Sequence, residues 1–202
     1  MTAHLADNWD ELFDVVNEKN EVVVSQVVGQ ANRYDCHKKG LRHRSVHILV
    51  ISVTVRRTSK LTGPSFSGTT GSGELLLQRR SSQKSLAPNC WDLSCAEHLS
   101  AGEGYGEAAL RGLQEELGIT AHRDEIRVIR DVYQHKMVYP EVGHVDDEFT
   151  ETYIMRYDGP IAPDPKEVAE TEFWSTSRVT SEMASSPESF ACWFRSEALP
   201  TA

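Results

Sequence analysis

The stretch Glu97–Ile119 constrains the fold more than any other part of this 202-residue chain. Its second half carries apolar residues at three- and four-residue steps, the spacing that turns one side of a helix toward a core. These residues are Ala109, Leu110, Leu113 and Leu117. Gly118 ends the predicted helix, because glycine takes the left-handed conformation without penalty. With the apolar side buried, Arg111 and the adjacent carboxylates of Glu115 and Glu116 point elsewhere.

The same stretch resembles the Nudix box, whose pattern is Gly, five residues, Glu, seven residues, Arg-Glu, an aliphatic residue, any residue, Glu-Glu, any residue, Gly and an aliphatic residue. The positions in register are Glu103, Arg111, Leu113, Glu115, Glu116, Gly118 and Ile119. Glu97 stands where the first Gly is expected, and Gly112 stands where the Glu after the Arg is expected.

The resemblance implies a Nudix α/β/α sandwich, with a mixed sheet between helices and a small N-terminal β extension. It also implies metal-dependent hydrolysis of a diphosphate linkage in a nucleoside diphosphate derivative or a related small organic diphosphate. In that role Glu115 and Glu116 hold Mg²⁺ or Mn²⁺. Arg111 orients them, and Glu103 in the preceding loop assists. Oxygen ligands suit these hard cations, which neutralise diphosphate charge and activate a water.

Gly112 removes one of three carboxylates that a Nudix helix would present on one face. Two functions therefore stay open: a hydrolase, or a binding module that keeps the fold and recognises a diphosphate without turnover. Adjacent glutamates on a helix also occur as an ordinary solvated face. We hypothesise that Glu97, at the mouth of the box loop, partly offsets the loss at Gly112.

Residues upstream of the box resemble the Nudix branch that contains isopentenyl diphosphate isomerases and their hydrolase relatives. The segment that begins at His43 resembles a strand of that branch in which the first histidine serves as a metal ligand in the isomerases. His98 occupies the position of their metal-binding histidine, and Glu148 that of a carboxylate on a later strand. The resemblance implies that these three residues contact metal or substrate, although each is also explained as an ordinary polar residue.

Two positions disfavour the isomerase alternative. In those enzymes a cysteine lies seven residues before the box-loop Glu, but here Ala96 stands there and Cys95 is displaced by one residue. Neighbouring strand residues face opposite sides, so Cys95 is expected to point away from the reacting carbon. Thr150 replaces the second carboxylate of the later pair. The pattern favours a hydrolase-like relative.

Composition and periodicity divide the chain into three parts. The predicted organisation is a disordered N terminus at 1–10, a β hairpin extension at 11–40 and a Nudix domain at 41–195, with a flexible Gly/Ser/Thr insertion at 57–73. The predicted hairpin strands are Glu11–Val16 and Val22–Val28. Asn32–Gly40 is predicted to be a loop, which either connects elements or approaches a phosphate.

Within the domain, strands alternate with loops and helices. The predicted strands are Ile48–Val55, Glu74–Arg80, Glu125–Tyr133, Phe149–Tyr157 and Pro165–Trp174, and the closing helices are Ser177–Met183 and Ser186–Phe194. A long polar loop is predicted at His135–Asp147. Glu148 and Glu151 beside it are candidates to complete the metal site or to act as a base. Arg79 and Arg80 either end their strand in solvent or bind phosphate.

A formal net charge of −9 argues against a nucleic-acid polymer or an anionic membrane as the main partner, because both attract positive surfaces. No apolar run approaches the roughly 18 to 20 residues that a membrane-spanning helix needs. The four cysteines form no CxxC pair and no signal peptide is recognised, so a reducing, cytoplasmic setting is expected. The expected partner is a small-molecule diphosphate substrate, and the sequence leaves a homodimer open.

Overall fold

The computed structural model describes residues 7–23, 29–52 and 73–198. Its strands are β1 (Leu12–Asp14), β2 (Gln30–Asn32), β3 (His43–Ser52), β4 (Glu74–Arg80), β5 (Trp91–Asp92), β6 (Cys95–His98), β7 (Ile126–Tyr139), β8 (His144–Arg156) and β9 (Val168–Ser175). Its helices are α1 (Arg33–Lys39), α2 (Tyr105–Leu117), α3 (Thr176–Ser185) and α4 (Cys192–Ala198), and a short 3-10 helix at Pro187–Ser189 precedes α4.

Seven strands form one mixed sheet. The order along it is β5-β4-β3-β8-β7, while β6 pairs with β3 and β9 pairs with β4. β3 and β8 run parallel, with His43 opposite Glu148 at one end of the ladder. The other strand pairs of this sheet are antiparallel. The parallel register therefore brings His43 and Glu148 side by side.

Helices cover both faces of this sheet. Neighbouring residues of a strand point to opposite sides, and β4 shows this clearly. Leu76 packs in one core with Leu113 of α2. Leu77 packs in the other core with Val179 of α3 and Phe194 of α4. The predicted α/β/α sandwich with a mixed sheet is confirmed.

Two glycines set the ends of α2, the predicted box helix. Gly104 is the N-cap, and its backbone N–H donates to the Glu107 carboxylate at 3.0 Å. Gly118 ends the helix at a φ of 66°, in the left-handed region. The apolar side, including the fully buried Leu113, packs against β3 and β6. The helix predicted from the apolar spacing is confirmed.

The prediction of a loop at Asn32–Gly40 is wrong, because this segment forms α1. The Asn32 side chain accepts a hydrogen bond from the Asp35 backbone N–H at 2.8 Å, which caps the helix N terminus. Gly40 ends the helix in the left-handed conformation at a φ of 61°. The helix turns His37 into the protein interior, where it is 5% exposed.

The prediction of a long polar loop at His135–Asp147 is also wrong. β7 continues to Tyr139 and β8 begins at His144, so only a tight connection at 140–143 separates them. His135 lies opposite Glu148 in the antiparallel ladder. From Tyr133 to Val138 the residues of β7 alternate between partly buried and exposed positions, and polar side chains in both sets hide the period of a strand.

The N-terminal extension contains a two-stranded antiparallel sheet of β1 and β2. At the predicted hairpin, Val22 makes an antiparallel bridge to Val16 and the Val23 backbone N–H donates to the Val15 carbonyl oxygen at 2.9 Å, while the regular strand partner of β1 is Gln30–Asn32. Residues 24–28 lie outside the described residues, as do residues 1–6 of the N terminus and 57–72 of the predicted insertion. The strands that bracket this insertion pair with each other, with Ile51 opposite Leu75.

The C-terminal part forms one predicted helix and divides the other. α3 confirms the helix predicted at Ser177–Met183. The helix predicted at Ser186–Phe194 is wrong as one unit, because a 3-10 turn ends at Ser189, Phe190 is extended and α4 begins at Cys192. Across residues 7–23, 29–52 and 73–198, no helix combines the length and apolarity needed to cross a membrane.

Candidate functional site

A cavity of about 560 Å³ lies where α1, β6, α2 and β8 meet. Two groups of polar side chains come together there, which we name the box group and the imidazole group. The box group consists of Glu97, Glu103, Arg111, Glu115 and Glu116. The imidazole group consists of His37, His43, His98 and Glu148.

Arg111 holds the box group together. Its guanidinium donates from Nε and Nη2 to the two carboxylate oxygens of Glu103, each at 2.9 Å. Nη1 donates to Glu115 Oε2 at 3.1 Å and lies 3.3 Å from Glu97 Oε2. Nη2 also donates to the carbonyl oxygen of His98 at 2.7 Å. Arg111 thus fixes the box loop, α2 and β6 relative to one another, and the predicted partners Glu103 and Glu115 do lie beside it.

Glu115 and Glu116 differ in exposure although both line the cavity. The Glu115 side chain is 57% exposed, whereas Glu116 is 7% exposed. Gln78 Nε2 donates to Glu116 Oε2 at 2.8 Å. Burial and the nearby carboxylate of Glu97 raise the pKa of Glu116 to about 8. The largely buried carboxylates of Glu116 and Glu97 face one cavity and favour the binding of a cation, because the cation offsets their repulsion.

Glu97 projects from β6 onto the cavity wall. Its carboxylate lies 3.3 Å from Arg111 Nη1 and 3.8 Å from Arg33 Nη2. Burial raises the pKa of Glu97, even though both guanidinium groups favour its ionised form. The structure therefore places Glu97 beside the box helix, and its role in metal binding stays a prediction at this point.

The imidazole group is a compact set of residues of the kind that bind metals. Its four members each offer one ligand atom, and these atoms all lie within 4.8 Å of one another. His98 Nε2 is 2.9 Å from Glu148 Oε1, and His43 Nε2 is 3.3 Å from the same oxygen. The centroids of the three rings are 5.1 to 5.2 Å apart. This arrangement could hold a metal ion.

Four elements place these ligands. His43 begins β3 opposite Glu148 of β8, and His98 ends β6 opposite Ser45 of β3. Ser45 Oγ donates to Glu148 Oε2 at 2.9 Å and so orients the carboxylate. His43 Nδ1 lies 2.9 Å from the carbonyl oxygen of Leu41, a contact that favours the tautomer with a free Nε2 lone pair. The fourth ligand comes from α1.

The electrostatics of the imidazole group favour a metal. Burial and the neighbouring histidines lower the pKa of His37 to about 2, and burial lowers the pKa of His98 to about 4. Burial opposes ionisation of Glu148, yet the adjacent imidazoles of His43 and His98 hold its pKa well below the usual value. In the described part of the chain, buried His37 Nδ1 has no hydrogen-bond partner. Neutral His37 and His98 beside an ionised Glu148 suit transition metals better than Mg²⁺. Burial opposes protonation of His43, but Glu148 raises its pKa, so a metal would compete with a proton there.

The sequence analysis missed His37. The resemblance pointed to the other three members of the imidazole group, and the structure brings those three together. His37 lies in the segment predicted to be a loop. The available signal was the Asn32 cap three residues before Asp35, with Gly40 as the stop, which together define a short helix.

Strand alternation decides between several candidates. Glu148 lines the cavity, whereas Glu151 accepts a hydrogen bond from the Tyr153 hydroxyl and is not part of the cavity wall. Ala96 also lines the cavity. Cys95 is fully buried in the core against α2, so its thiol points away from the imidazole group, toward the face of β6 that carries Glu97. No thiol therefore takes the place of the isomerase cysteine on this part of the wall.

Besides Arg111, the basic residues Arg33, Arg80 and Lys84 line the cavity. Arg80 is thus the strand-end arginine that faces the site. The side chain of Arg79 is 45% exposed and lies 3.6 Å from the Glu170 carboxylate. Guanidinium and ammonium groups on one wall make it attractive to an anionic ligand.

An acidic side chain from the N-terminal segment contacts two of these basic residues, Lys84 and Arg33. Asp7 Oδ1 lies 3.1 Å from Lys84 Nζ and 3.7 Å from Arg33 Nη1. Asp7 Oδ2 accepts a hydrogen bond from the Ser85 backbone N–H at 3.0 Å. Residues 7–10 belong to the predicted disordered terminus, and Asp7 among them makes these defined contacts. Phosphate oxygens form the same kind of charge-assisted contact with lysine and arginine, so a ligand phosphate would occupy the place that the Asp7 carboxylate holds beside Lys84 and Arg33.

Comparisons with known proteins agree with the box and the fold. The sequence profile of the NUDIX domain matches residues 67–194. The isopentenyl-diphosphate Delta-isomerase of Cereibacter sphaeroides (strain ATCC 17025) is 29% identical over 181 residues, covering 87% of this chain and 89% of that protein. The protein of the same name from Dinoroseobacter shibae is 30% identical over 169 residues, covering 81% of each. The crystal structure of DR0079 from Deinococcus radiodurans superposes with a TM-score of 0.64 at 23% identity, covering 93% of this chain and 97% of that chain.

The profile match extends over more than half of the chain and includes the whole of α2. The superposition covers both the sheet and the helices on its two faces. With the box residues gathered around Arg111, sequence and structure agree: the chain belongs to the Nudix family.

Proposed function

We propose that this chain hydrolyses a diphosphate linkage in a nucleoside diphosphate derivative or a related small organic diphosphate, with Mg²⁺ or Mn²⁺ as cofactor. The observation that carries the proposal is the position of Glu116, a buried carboxylate that lines the cavity beside Glu115. Arg111 holds Glu115 and the box loop in fixed relation to it.

The residues present fit such a cation. Gln78 donates to Glu116 through Nε2, and among the described residues its own Oε1 has no hydrogen-bond partner although Gln78 is 2% exposed. Carboxylate and amide oxygens are ligands that Mg²⁺ and Mn²⁺ prefer. When bound at Glu115 and Glu116, the cation supplies charge neutralisation on the diphosphate oxygens and lowers the pKa of a water.

The cavity suits a small anionic substrate. Its volume of about 560 Å³ is in the range of small-molecule sites. Arg80, Lys84 and Arg33 supply donors for charge-assisted hydrogen bonds to phosphate oxygens. A substrate phosphate that takes the Lys84 and Arg33 donors replaces Asp7 as their partner. The chain's own residues thereby orient the diphosphate next to the box carboxylates.

A second candidate is isomerisation of a small diphosphate such as isopentenyl diphosphate. The imidazole group favours it, and so do the names of the curated relatives. Isomerisation needs a proton donor and a proton acceptor at the reacting carbons. Ala96 on the cavity wall offers neither, and the thiol of Cys95 lies in the core. Hydrolysis therefore stays the first proposal.

The proposal is tested by measuring the release of phosphate and diphosphate in the presence of Mg²⁺ or Mn²⁺. The substrates are a panel of nucleotide, dinucleotide, nucleotide-sugar and prenyl diphosphates. We expect turnover that falls about 100-fold in Glu116→Gln. Glu182→Gln, which removes an exposed carboxylate of α3, should leave the rate unchanged and serves as the matched control. Native protein that turns over no member of the panel would contradict the proposal. Conversion of isopentenyl to dimethylallyl diphosphate would establish the second candidate, and ligand-induced thermal stabilisation without turnover would indicate a binding module.

A further inference from the structure

The two positions at which this chain departs from the box pattern lie against each other in space. Gly112 on α2 faces Glu97 on β6. A Cβ atom added at Gly112 would lie 3.1 Å from Glu97 Cβ and 3.5 Å from Glu97 Cγ. The first distance is shorter than the optimal separation of two carbon atoms, about 3.5 to 4.0 Å. Cys95 Sγ would lie 3.0 Å from the same Cβ, so Cys95 and the stem of Glu97 together fill the space that a glutamate at position 112 would need.

The space over Gly112 leads toward the box carboxylates. Position 112 lies three and four residues before Glu115 and Glu116, so all three positions share one face of the helix. Glu97 lines the same cavity as these two carboxylates. Arg111 Nη1 lies 3.3 Å from Glu97 and 3.1 Å from Glu115, so one guanidinium nitrogen joins the carboxylate of the strand to a carboxylate of the helix.

The side chain of Gln78 gives a separate indication that a ligand binds beside Glu116. Gln78, on β4, is 2% exposed and donates to Glu116 at 2.8 Å. Its Oε1 has no hydrogen-bond partner within the described ranges. A buried amide oxygen beside carboxylates lacks a donor but is a good ligand for a hard cation.

We propose that Glu97 is the third carboxylate ligand of the box metal site, supplied by β6 in place of a glutamate at position 112. The chain thus keeps three carboxylates, and one of them has moved from the helix to the facing strand. A side chain at position 112 would crowd both Glu97 and Cys95, so the glycine makes room for the glutamate of the facing strand. This inference rests on the proposed function for the presence of a divalent cation, and it is independent of the substrate.

The proposal is tested by measuring the binding of Mg²⁺ alone with isothermal titration calorimetry. Mg²⁺ is chosen because it prefers oxygen ligands and therefore binds the box carboxylates rather than the imidazole group. We expect Glu97→Gln to weaken Mg²⁺ binding at least about tenfold. Glu182→Gln is the matched control, because it removes one exposed carboxylate of α3 that does not line the cavity. Its Mg²⁺ affinity should stay within about threefold of the native value.

An exchange of the two positions gives the sharper readout. Gly112→Glu alone should lower the melting temperature, because it overlaps with Glu97. The double variant Glu97→Gly with Gly112→Glu should bind Mg²⁺ more tightly than Glu97→Gly alone. If steric strain from Cys95, whose Sγ would lie 3.0 Å from the new Cβ, prevents folding, the same pair is tested with Cys95→Ala.

The outcomes separate this inference from the proposed function. Native Mg²⁺ affinity in Glu97→Gln, or no gain on moving the carboxylate to position 112, would overturn the inference while diphosphate hydrolysis by the native protein could still stand. Loss of Mg²⁺ affinity in Glu97→Gln, in a protein that hydrolyses no member of the panel, would support Glu97 as a ligand and overturn the hydrolase.

Discussion

Metal binding by the imidazole group should stabilise the fold by an amount that can be worked out in advance. Four ligand atoms within 4.8 Å of one another are held by α1, β3, β6 and β8, so binding joins elements that are distant in sequence. A ligand at 100 times its dissociation constant stabilises the native state by about 2.7 kcal/mol. For chains of this size, 1 kcal/mol corresponds to about 2 to 4 °C in melting temperature. The expected rise is therefore about 5 to 11 °C.

Removal of one ligand should abolish most of this rise. His98→Gln keeps a polar side chain at the cavity wall, and a 100-fold loss of affinity would leave a stabilisation of about 0.4 kcal/mol, or about 1 °C, at the same metal concentration. The melting temperature is measured by differential scanning calorimetry with and without Co²⁺. The visible absorption spectrum of Co²⁺ reports separately whether imidazoles ligate the ion. His135→Gln is the control, since His135 lines the cavity outside the imidazole group. An equal rise in His98→Gln and native protein would refute the reasoning.

Three further predictions concern the packing around the site. In urea unfolding, Gly118→Ala should destabilise the protein more than Gly102→Ala, although both glycines have positive φ. The reason is steric: a Cβ at Gly118 would lie 2.7 Å from the Ala162 carbonyl oxygen, whereas Gly102 faces open space. We expect about 1 to 2 kcal/mol for the second and more for the first, and equal losses would contradict the steric argument. Trp193→Phe should cost about 1 to 3 kcal/mol in the same assay, since Trp193 Nε1 donates to both oxygens of the fully buried Asp92 at 2.8 and 3.0 Å, and an unchanged midpoint would count against it. Ala96→Cys should add one thiol that iodoacetamide modifies in the folded protein while Cys95 stays unmodified, as peptide mass spectrometry would show; protection of the new thiol would mean that position 96 does not face the cavity.

The box region could be predicted from the sequence because its signals are local. The apolar spacing, the stop at Gly118 and the arginine one turn from Glu115 all depend on residues within a few helical turns. The same holds for Cys95, whose inward direction follows from the alternation of a strand. These features needed no knowledge of the rest of the chain.

The imidazole group could be predicted only in part, because it depends on long-range register. His43 meets Glu148 through the parallel pairing of β3 with β8, and no local pattern fixes that register. His37 depends on a seven-residue helix with weak apolar periodicity, so its caps were the one local signal. The contact between Glu97 and Gly112 likewise joins two elements, and the sequence shows the two departures without showing that they touch.

β6 has a consequence for how this site can change over evolution or by engineering. Glu97 and His98 are consecutive residues of a four-residue strand, and one belongs to the box group while the other belongs to the imidazole group. Their positions are set by a single ladder to β3, with Val46 opposite Glu97 and Ser45 opposite His98. A one-residue shift of this strand against β3 would move one of these side chains into the place of the other and bring a different residue into the vacated place. Substitutions can therefore alter either group alone, whereas a change in the length of β6 must alter both groups together.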